Sequence, residues 1–366
     1  MGVSQTKPSK YRVAIVGLDH YHTTGWAESL DLFRDRLDVV ALYDADAAVF
    51  EAGAPRFYDP NLAAAFPARY RELPYYNELG TLLGEQAVDL ALVTLPNAQA
   101  PGAICELARS GVHVLVDKPG AVGARAAQEA VQCCAENEIQ MAAGLLRRYG
   151  RGWQHAKSMI DSGRSGTLLS TEAVFNTSSP FVRDPENHIF SRSLQGGGIL
   201  IWLGVHDVDQ LLWLTGERIV EVQAMLARVN DTAIDVEDAI SVSLRYESGA
   251  IGTIHYAYVL PRTLSDGYLA VRGSEGSVAV SSTGTLTWIG AGTAADPVRE
   301  ETLQYTNYTV PGYGSMAPAV IQDLLDAIEE KRPPRANGTH LVDALRVIDA
   351  AYESAQSGTR VHVDWG

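Results

Sequence analysis

Apolar positions over the first 145 residues follow two alternating patterns. YRVAIVG (11–17), VVALYD (39–44), VDLALVTLP (88–96), HVLVD (113–117) and IQMAAGL (139–145) are short runs without a polar face, as expected of buried strands. Between the first two, TTGWAESLDLFRDRL (23–37) places Trp26, Leu30, Phe33 and Leu37 at steps of four, three and four. That is one face of a helix, with Thr23 or Thr24 as its N-cap. Helical spacing recurs over 98–110 and 123–137. Buried strands separated by helices predict a doubly wound parallel sheet of the nucleotide-binding kind.

Beyond residue 146 the pattern changes. A helix over 151–162 precedes the strand TLLSTEAVFN (167–176), a polar, proline-bearing loop to about 194, and a glycine-started helix over 199–215. VEVQAMLARV (220–229), AISVSLRY (239–246), GAIGTIHYAYV (249–259), YLAVRG (268–273), SVAV (277–280) and TLTWIG (285–290) then alternate in the strand period, and helices over 316–330 and 338–357 close the chain. Consecutive strands joined by short turns predict a mostly antiparallel sheet. The expected division is an α/β domain over 8–145 and an α+β domain over 146–366.

Composition narrows the function. The apolar fraction of 46% is that of an ordinary globular protein, and a net charge of −15 repels phosphate backbones, which argues against nucleic acid. No run of 18 apolar residues is present, and MGVSQTKPSKYR lacks the apolar core of a signal peptide, so neither a membrane nor secretion is expected. Cys105, Cys133 and Cys134 have no metal-ligand spacing. Buried thiols at Cys133 and Cys134, adjacent in an alternating apolar stretch, and a cytoplasmic location are the expectation.

The turn VGLDHYHTTGW (16–26) carries the first candidate chemistry. A dinucleotide turn reads G-x-G-x-x-G, whereas here Gly17 is followed by Asp19 and His22 at the other two positions. The helix start still offers N–H donors to a pyrophosphate. Asp19 adds a Cβ and a charge whose repulsion at about 5 Å amounts to roughly 3 kcal/mol at an effective dielectric of about 20, so its side chain must turn away. His20 and His22 add donors. Three metal ligands within one turn (Asp19, His20, His22) rarely converge, and no metal is expected. Asp44 stands 27 residues after Gly17, where an acid binds the adenosine ribose and repels a 2′-phosphate. This favours NAD over NADP, the alternative being that Asp44 or Asp46 merely caps the next helix.

VTLPN (93–97) and HVLVDKPGAV (113–122), with Asp117-Lys118-Pro119 at the strand end, resemble the Gfo/Idh/MocA oxidoreductases, whose strand ends in Glu-Lys-Pro. The resemblance extends through GLLRRYGRGWQHAKSMIDSGRSG (144–166), GGGILIWLGVHDVDQLLWLTG (196–216), VEDAISVSLRYESGAIGTI (236–254), VRGSEGSVAV (271–280) and DALRVIDAAYESAQSGTRVHV (343–363). It implies a Rossmann domain, an open-faced antiparallel sheet, and an active site in the cleft between them. It also implies cofactor contacts from Gly17, Leu18, Asp19, His20, His22, Asp44, Leu95, Pro96, Asn97, Asp117, Lys118 and Pro119. Lys118 and His206 match the family's catalytic lysine and histidine, while Trp202 stands where the family has an aspartate. The acid beside His206 would then be Asp209, or Asp207. Arg148 and Trp202 join Lys118 and His206 as candidates for substrate contact, Arg147 and Arg148 having an interdomain structural role as the alternative.

Alcohol oxidation needs a base while hydride leaves. A nicotinamide cation about 5 Å away would lower an ammonium pKa by roughly 2 units, suiting Lys118. The expected activity is hydride transfer between NAD(H) and a sugar-like or cyclitol carbon. The alternatives are an NAD-dependent glycosidase with transient redox, and a ligand sensor that has lost catalysis. Residues 177–194, including Arg183, Asp184, Glu186, Asn187 and His188, are a candidate substrate rim. The open sheet face is expected to form a homodimer or homotetramer.

Overall fold

The computed structural model describes residues 10–51, 66–178, 180, 183–260, 264–293, 296–305 and 316–366. The Cα packing divides the chain into two units. One runs through Ala121, resumes over Ala126–Gly144 and takes back the late helix Met316–Glu330; the other holds Val122–Arg125, the chain from Leu145 through the long sheet, and Thr339–Gly366.

The first unit contains a six-stranded sheet in the order β3-β2-β1-β4-β5-β6. Its strands are β1 (Tyr11–Val16), β2 (Leu37–Tyr43), β3 (Tyr75–Tyr76), β4 (Leu90–Val93), β5 (His113–Val116) and β6 (Met141–Ala143). Every pairing is parallel, so all carboxyl ends lie on one edge. The order reverses between β1 and β4, where open α/β sheets bind ligands. Helices α1 (Tyr21–Asp31), α2 (Ala47–Glu51), α3 (Leu79–Glu85), α4 (Ala100–Arg109) and α5 (Ala124–Glu136) make the crossovers. Side chains of Val13 through Val16 and of Val114 are wholly buried, as the apolar runs require.

Helix α1 starts earlier and ends earlier than the spacing predicts. Its cap is His20, whose ring Nδ1 accepts from the His22 N–H at 3.0 Å, in place of Thr23 or Thr24. Trp26 and Leu30 are buried as expected. At the other end the Phe33 carbonyl accepts from Arg36 and Leu37 N–H at 2.8 and 2.7 Å and reverses the chain. Leu37, in phase with the helix by sequence, therefore opens β2.

Cys105 on α4 and Cys133 on α5 form a disulfide, which corrects the expectation of buried thiols at Cys133. Cys134 alone is the buried thiol, its pKa pushed up to about 12 by desolvation. The bridge closes a loop of sequence separation 28, which restricts the unfolded chain by about 3.6 kcal/mol in the loop-entropy picture. Reduction, or Cys105→Ser, should lower the unfolding free energy by about that amount, checked by urea denaturation with and without reductant. An unchanged midpoint would show that the bridge adds nothing to stability.

The second unit carries nine strands in the order β14-β13-β12-β11-β7-β10-β9-β8-β15. They are β7 (Leu168–Thr177), β8 (Ile219–Ala227), β9 (Ala239–Tyr246), β10 (Ile251–Tyr258), β11 (Ser265–Gly273), β12 (Gly276–Ser281), β13 (Thr285–Thr293), β14 (Asp296–Gln304) and β15 (Val361–His362). All pairings are antiparallel except β7 with β10. Inward residues of β9 and β10, such as Val242, Leu244 and Ile254, are buried. Helix α6 (Arg151–Asp161) packs on β12 and β13, and α7 (Val205–Thr215) on β7 and β11. The opposite face shows Met225, Ile251, Tyr268 and Ile289 to solvent. Helices α8 (Met316–Glu330) and α9 (Gly338–Ser357) complete the chain. Among the described residues no helix is long and apolar enough to cross a membrane.

Candidate active site

The carboxyl edge of the parallel sheet gathers most of the residues expected to touch a cofactor. Gly17 ends β1 with φ +101°, and a Cβ there would stand 2.6 Å from the Thr94 carbonyl carbon and the Leu95 nitrogen. Only glycine fits this close approach. Thr94 Oγ1 donates to the Gly17 carbonyl at 2.6 Å and receives the Thr23 hydroxyl at 2.9 Å, which locks turn and strand end together. Leu95 and Asn97 are buried beside them and Pro96 is half-buried.

Asp44 clamps this turn from the end of β2. Its Oδ2 accepts the Leu18 N–H at 2.7 Å and its Oδ1 the Asp46 N–H at 3.1 Å. Burial pushes the Asp44 carboxyl above its usual range, while the N–H groups of Leu18, Asp46 and Asp19 pull it back. The Tyr75 hydroxyl donates to the Asp44 carbonyl at 2.6 Å, and burial, with Asp44 next in weight, drives its pKa to about 12. Asp44 is thus more than a helix cap, because it fixes the backbone of Leu18 and Asp19.

The helix start is less open to an anion than the sequence implies. The His22 N–H serves the His20 ring and the Thr23 N–H the His20 carbonyl, at 3.0 Å each. His20 and His22 instead turn toward the end of β5. There His22 Nδ1 lies 2.8 Å from Asp117 Oδ2, His20 Nε2 lies 3.7 Å from the same oxygen, and the Trp26 indole donates to Oδ1 at 2.8 Å. Burial raises the Asp117 pKa, offset chiefly by His20 and Lys118. Lys118 follows, 3% exposed, with a cis peptide to the buried Pro119.

His20, His22 and Asp117 bring three potential metal-ligand atoms within 4.8 Å of one another. The hydrogen bonds favour protons over a cation. Since His20 Nδ1 accepts from a backbone N–H, the neutral ring carries its proton on Nε2, the atom facing Asp117. A metal on that nitrogen would force a proton onto Nδ1 and break the helix cap. Asp19, the third residue of the trio weighed from sequence, is not among these three.

The second unit presents Trp202 and His206 on one continuous helical run. Trp202 is buried in a π-helical stretch, Leu200–Gly204, and His206 is half-buried in the first turn of α7. The wider turn means the spacing of four no longer guarantees a shared face. Glu237 shapes this start. Its carboxylate accepts from Gly198 N–H at 2.7 Å, Leu200 N–H at 3.3 Å and the Tyr352 hydroxyl at 2.8 Å. A Cβ on Gly198 would strike the Glu237 backbone.

The carboxylates expected to orient His206 are committed to arginines. Asp209 accepts from Arg148 Nε at 3.0 Å and Nη2 at 2.7 Å, with both side chains buried. Asp207 accepts from Arg147. Asp209 thus holds Arg148, whose guanidinium also faces Trp213 at 5.6 Å. His340 lies in the same charged surroundings, its pKa lowered to about 4 by burial and then by Arg148.

In the proposed rim, Arg183 stacks over Trp202 at 5.9 Å. Asn187 and His188 are buried, Asn187 Oδ1 capping the Ile189 N–H at 2.9 Å, while Asp184 and Glu186 are exposed. Residues 179, 181 and 182 of that rim lie outside the described residues. The sequence reading missed Thr94, Tyr75, Glu237 and His340, and took Trp26 only as core. Thr94, Glu237 and Trp26 lie inside the quoted VTLPN, VEDAISV and VGLDHYHTTGW runs, whereas Tyr75 and His340 carried no such signal.

A glycine turn, an acid after the second strand and a buried lysine at the end of β5 define a dinucleotide-binding domain, and the chain carries a second, sheet-based unit. Comparison with known proteins makes the assignment specific. The model for an oxidoreductase family with an NAD-binding Rossmann fold matches residues 11–145, and that for the GFO/IDH/MocA C-terminal domain matches 153–279. The chain belongs to the Gfo/Idh/MocA family of oxidoreductases. It is 26% identical to inositol 2-dehydrogenase of Rhizobium meliloti (strain 1021) over 316 residues, 82% of this chain and 90% of that protein. It is 23% identical to D-xylose 1-dehydrogenase (NADP(+)) 2 of Haloferax volcanii over 328 residues, 87% and 94% of the two chains. The crystal structure of the WlbA dehydrogenase from Bordetella pertussis, in complex with NADH and UDP-GlcNAcA, superposes with a TM-score of 0.78 at 20% identity, covering 99% of this chain and 100% of that one.

Proposed function

We propose that this oxidoreductase moves a hydride between NAD(H) and a hydroxyl-bearing carbon of a sugar-like or cyclitol substrate, with Lys118 exchanging the hydroxyl proton. One observation carries the reading. Lys118 stands buried at the end of β5, on the sheet edge that also holds the Gly17–Asp44 clamp. The Gly17 approach and the Asp44 carboxylate fit a dinucleotide: Gly17 leaves no Cβ in the turn, and Asp44 is the acceptor for ribose hydroxyls. Gly17, Leu18, Asp19, His20 and His22 would line the pyrophosphate side, with Leu95, Pro96, Asn97, Asp117 and Pro119 toward the nicotinamide. Bound NAD+ would supply the hydride acceptor. Asp44 and Asp46 would repel a 2′-phosphate, which supports NAD, although one relative is named for NADP.

His206 would assist at the substrate hydroxyl, with Trp202 supplying an apolar wall. Arg148, tied to Asp209, would act by shaping that wall and not through direct ligand contact. The exposed sheet face around Met225 and Ile251 is where we place a dimer or tetramer contact. Calorimetry with NAD+ and NADP+, then absorbance at 340 nm with a panel of aldoses and cyclitols, tests the reading. NAD+ should bind more tightly, and Asp44→Ala should weaken it about 10- to 100-fold, the worth of hydrogen bonds to a charged acceptor. Failure of both dinucleotides to bind at millimolar concentration would overturn the proposal.

A further inference from the structure

The strongest unassigned cluster lies behind Lys118. Asp117 is a buried acid immediately before a buried lysine, and such neighbours ordinarily raise the lysine's proton affinity by mutual attraction. Here the carboxylate has other claims on it. His22 Nδ1 is 2.8 Å from Oδ2, the Trp26 indole N–H is 2.8 Å from Oδ1, and His20 Nε2 is 3.7 Å from Oδ2. The ring and charged groups acting on Asp117 are His20 from the turn, His22 and Trp26 from α1, and Lys118 from its own loop. A Cβ on Gly144, which follows β6, would stand 3.2 Å from Asp117 Cα and Oδ1, and the glycine brings no charge. His22 occupies the place where a dinucleotide turn carries its third glycine.

We propose that His22 is a positioning residue that acts on Lys118 through Asp117, its ring N–H drawing off part of the carboxylate's charge and so easing release of the lysine's proton. The inference rests on the reading of Lys118 as the proton-exchanging group. A carboxylate that accepts N–H groups is a weaker partner for a neighbouring ammonium, because its negative charge is already spread over those bonds. The aromatic and indole donors come from one helix start, so a single element sets the charge state at the end of another strand. The His20 cap is part of the device. By accepting the His22 N–H it orients both rings toward the same oxygen.

The test needs no substrate. Protein labelled with 13C-lysine is titrated by NMR, Lys118 being assigned by its disappearance in Lys118→Met. In His22→Phe, which keeps a ring but removes the donor, the Lys118 midpoint should rise by about one pH unit. His22→Asn, whose amide N–H stands near the position of Nδ1–H, should return it close to wild type. Asp117→Asn should move it down. Trp26→Phe, expected to raise it, replaces His22→Phe should that variant not fold. Equal midpoints in all variants, or shifts of the same sign in His22→Phe and Asp117→Asn, would overturn the proposal. So would one zinc per chain removable by EDTA, since a bound cation would own these ligands. If Lys118→Met keeps full turnover, the catalytic reading fails by itself, whereas the titration reports only on the His22–Asp117 coupling.

Discussion

Lys118→Met is expected to lower kcat by about a thousandfold, within the range a positioned acid–base group contributes. Dinucleotide affinity should stay within about threefold, because Gly17 and Asp44 hold the turn independently of the lysine. Methionine keeps most of the side-chain volume at a site only 3% exposed, so packing is largely preserved while the exchangeable proton is lost. The change is read as NADH absorbance at 340 nm on whichever polyol the screen identifies, alongside calorimetry with NAD+. Turnover equal to wild type would remove Lys118 from the chemistry and leave the protein a binding scaffold. A thermal melt of the same variant separates lost catalysis from lost folding.

The second large effect concerns the second unit. Arg148→Met should destabilise the protein by about 4 kcal/mol, because it strands the buried Asp209 carboxylate without its two-pronged partner. Arg148→Met combined with Asp209→Leu should recover most of that loss, since removing both charges costs far less than removing one. Urea denaturation of the single and double variants measures both. A single variant as stable as wild type would mean that water reaches Asp209. The pH dependence has a defined sign. His340 is held near 4, below its ordinary value of 6.5, by burial and by the Arg148 cation. Between those two values the unfolded chain binds a proton that the folded chain refuses. Stability therefore falls as pH drops through that window and levels off below it. Loss of the Arg148 cation should raise the folded value and narrow the window from its acid side.

Much of the fold was legible because its signals are local. Apolar runs without a polar face marked β1, β4 and β5, and strict alternation marked β9 over the span it occupies. β3 has only two residues, and β14 is an edge strand whose sequence, DPVREETLQ, lacks an apolar alternation. Both depend on a neighbouring strand and not on their own pattern. The α1 boundary failed for a related reason. A histidine ring can cap a helix only if its rotamer points back at the N–H two residues on, which no composition rule reveals.

The site divides the same way. The Asp-Lys-Pro strand end and the acid after the second strand were readable as candidates because each lies within a few residues of a recognisable strand. The partners that decide what each group does are distant in sequence. His22 meets Asp117 from 95 positions away, and Arg148 meets Asp209 from 61. Asp209 was expected beside His206, three residues earlier on the same helix, whereas its arginine partner arrives from outside that helix.

Helix α8 packs against α1, and it belongs to the unit built around the parallel sheet. Since α8 spans Met316–Glu330, a ribosome must polymerise β7 through β14 before that sheet receives its last covering element. Synthesis order and structural order therefore disagree: the portion made earliest is finished late, and in the interval α1 lacks a neighbour it has in the completed chain.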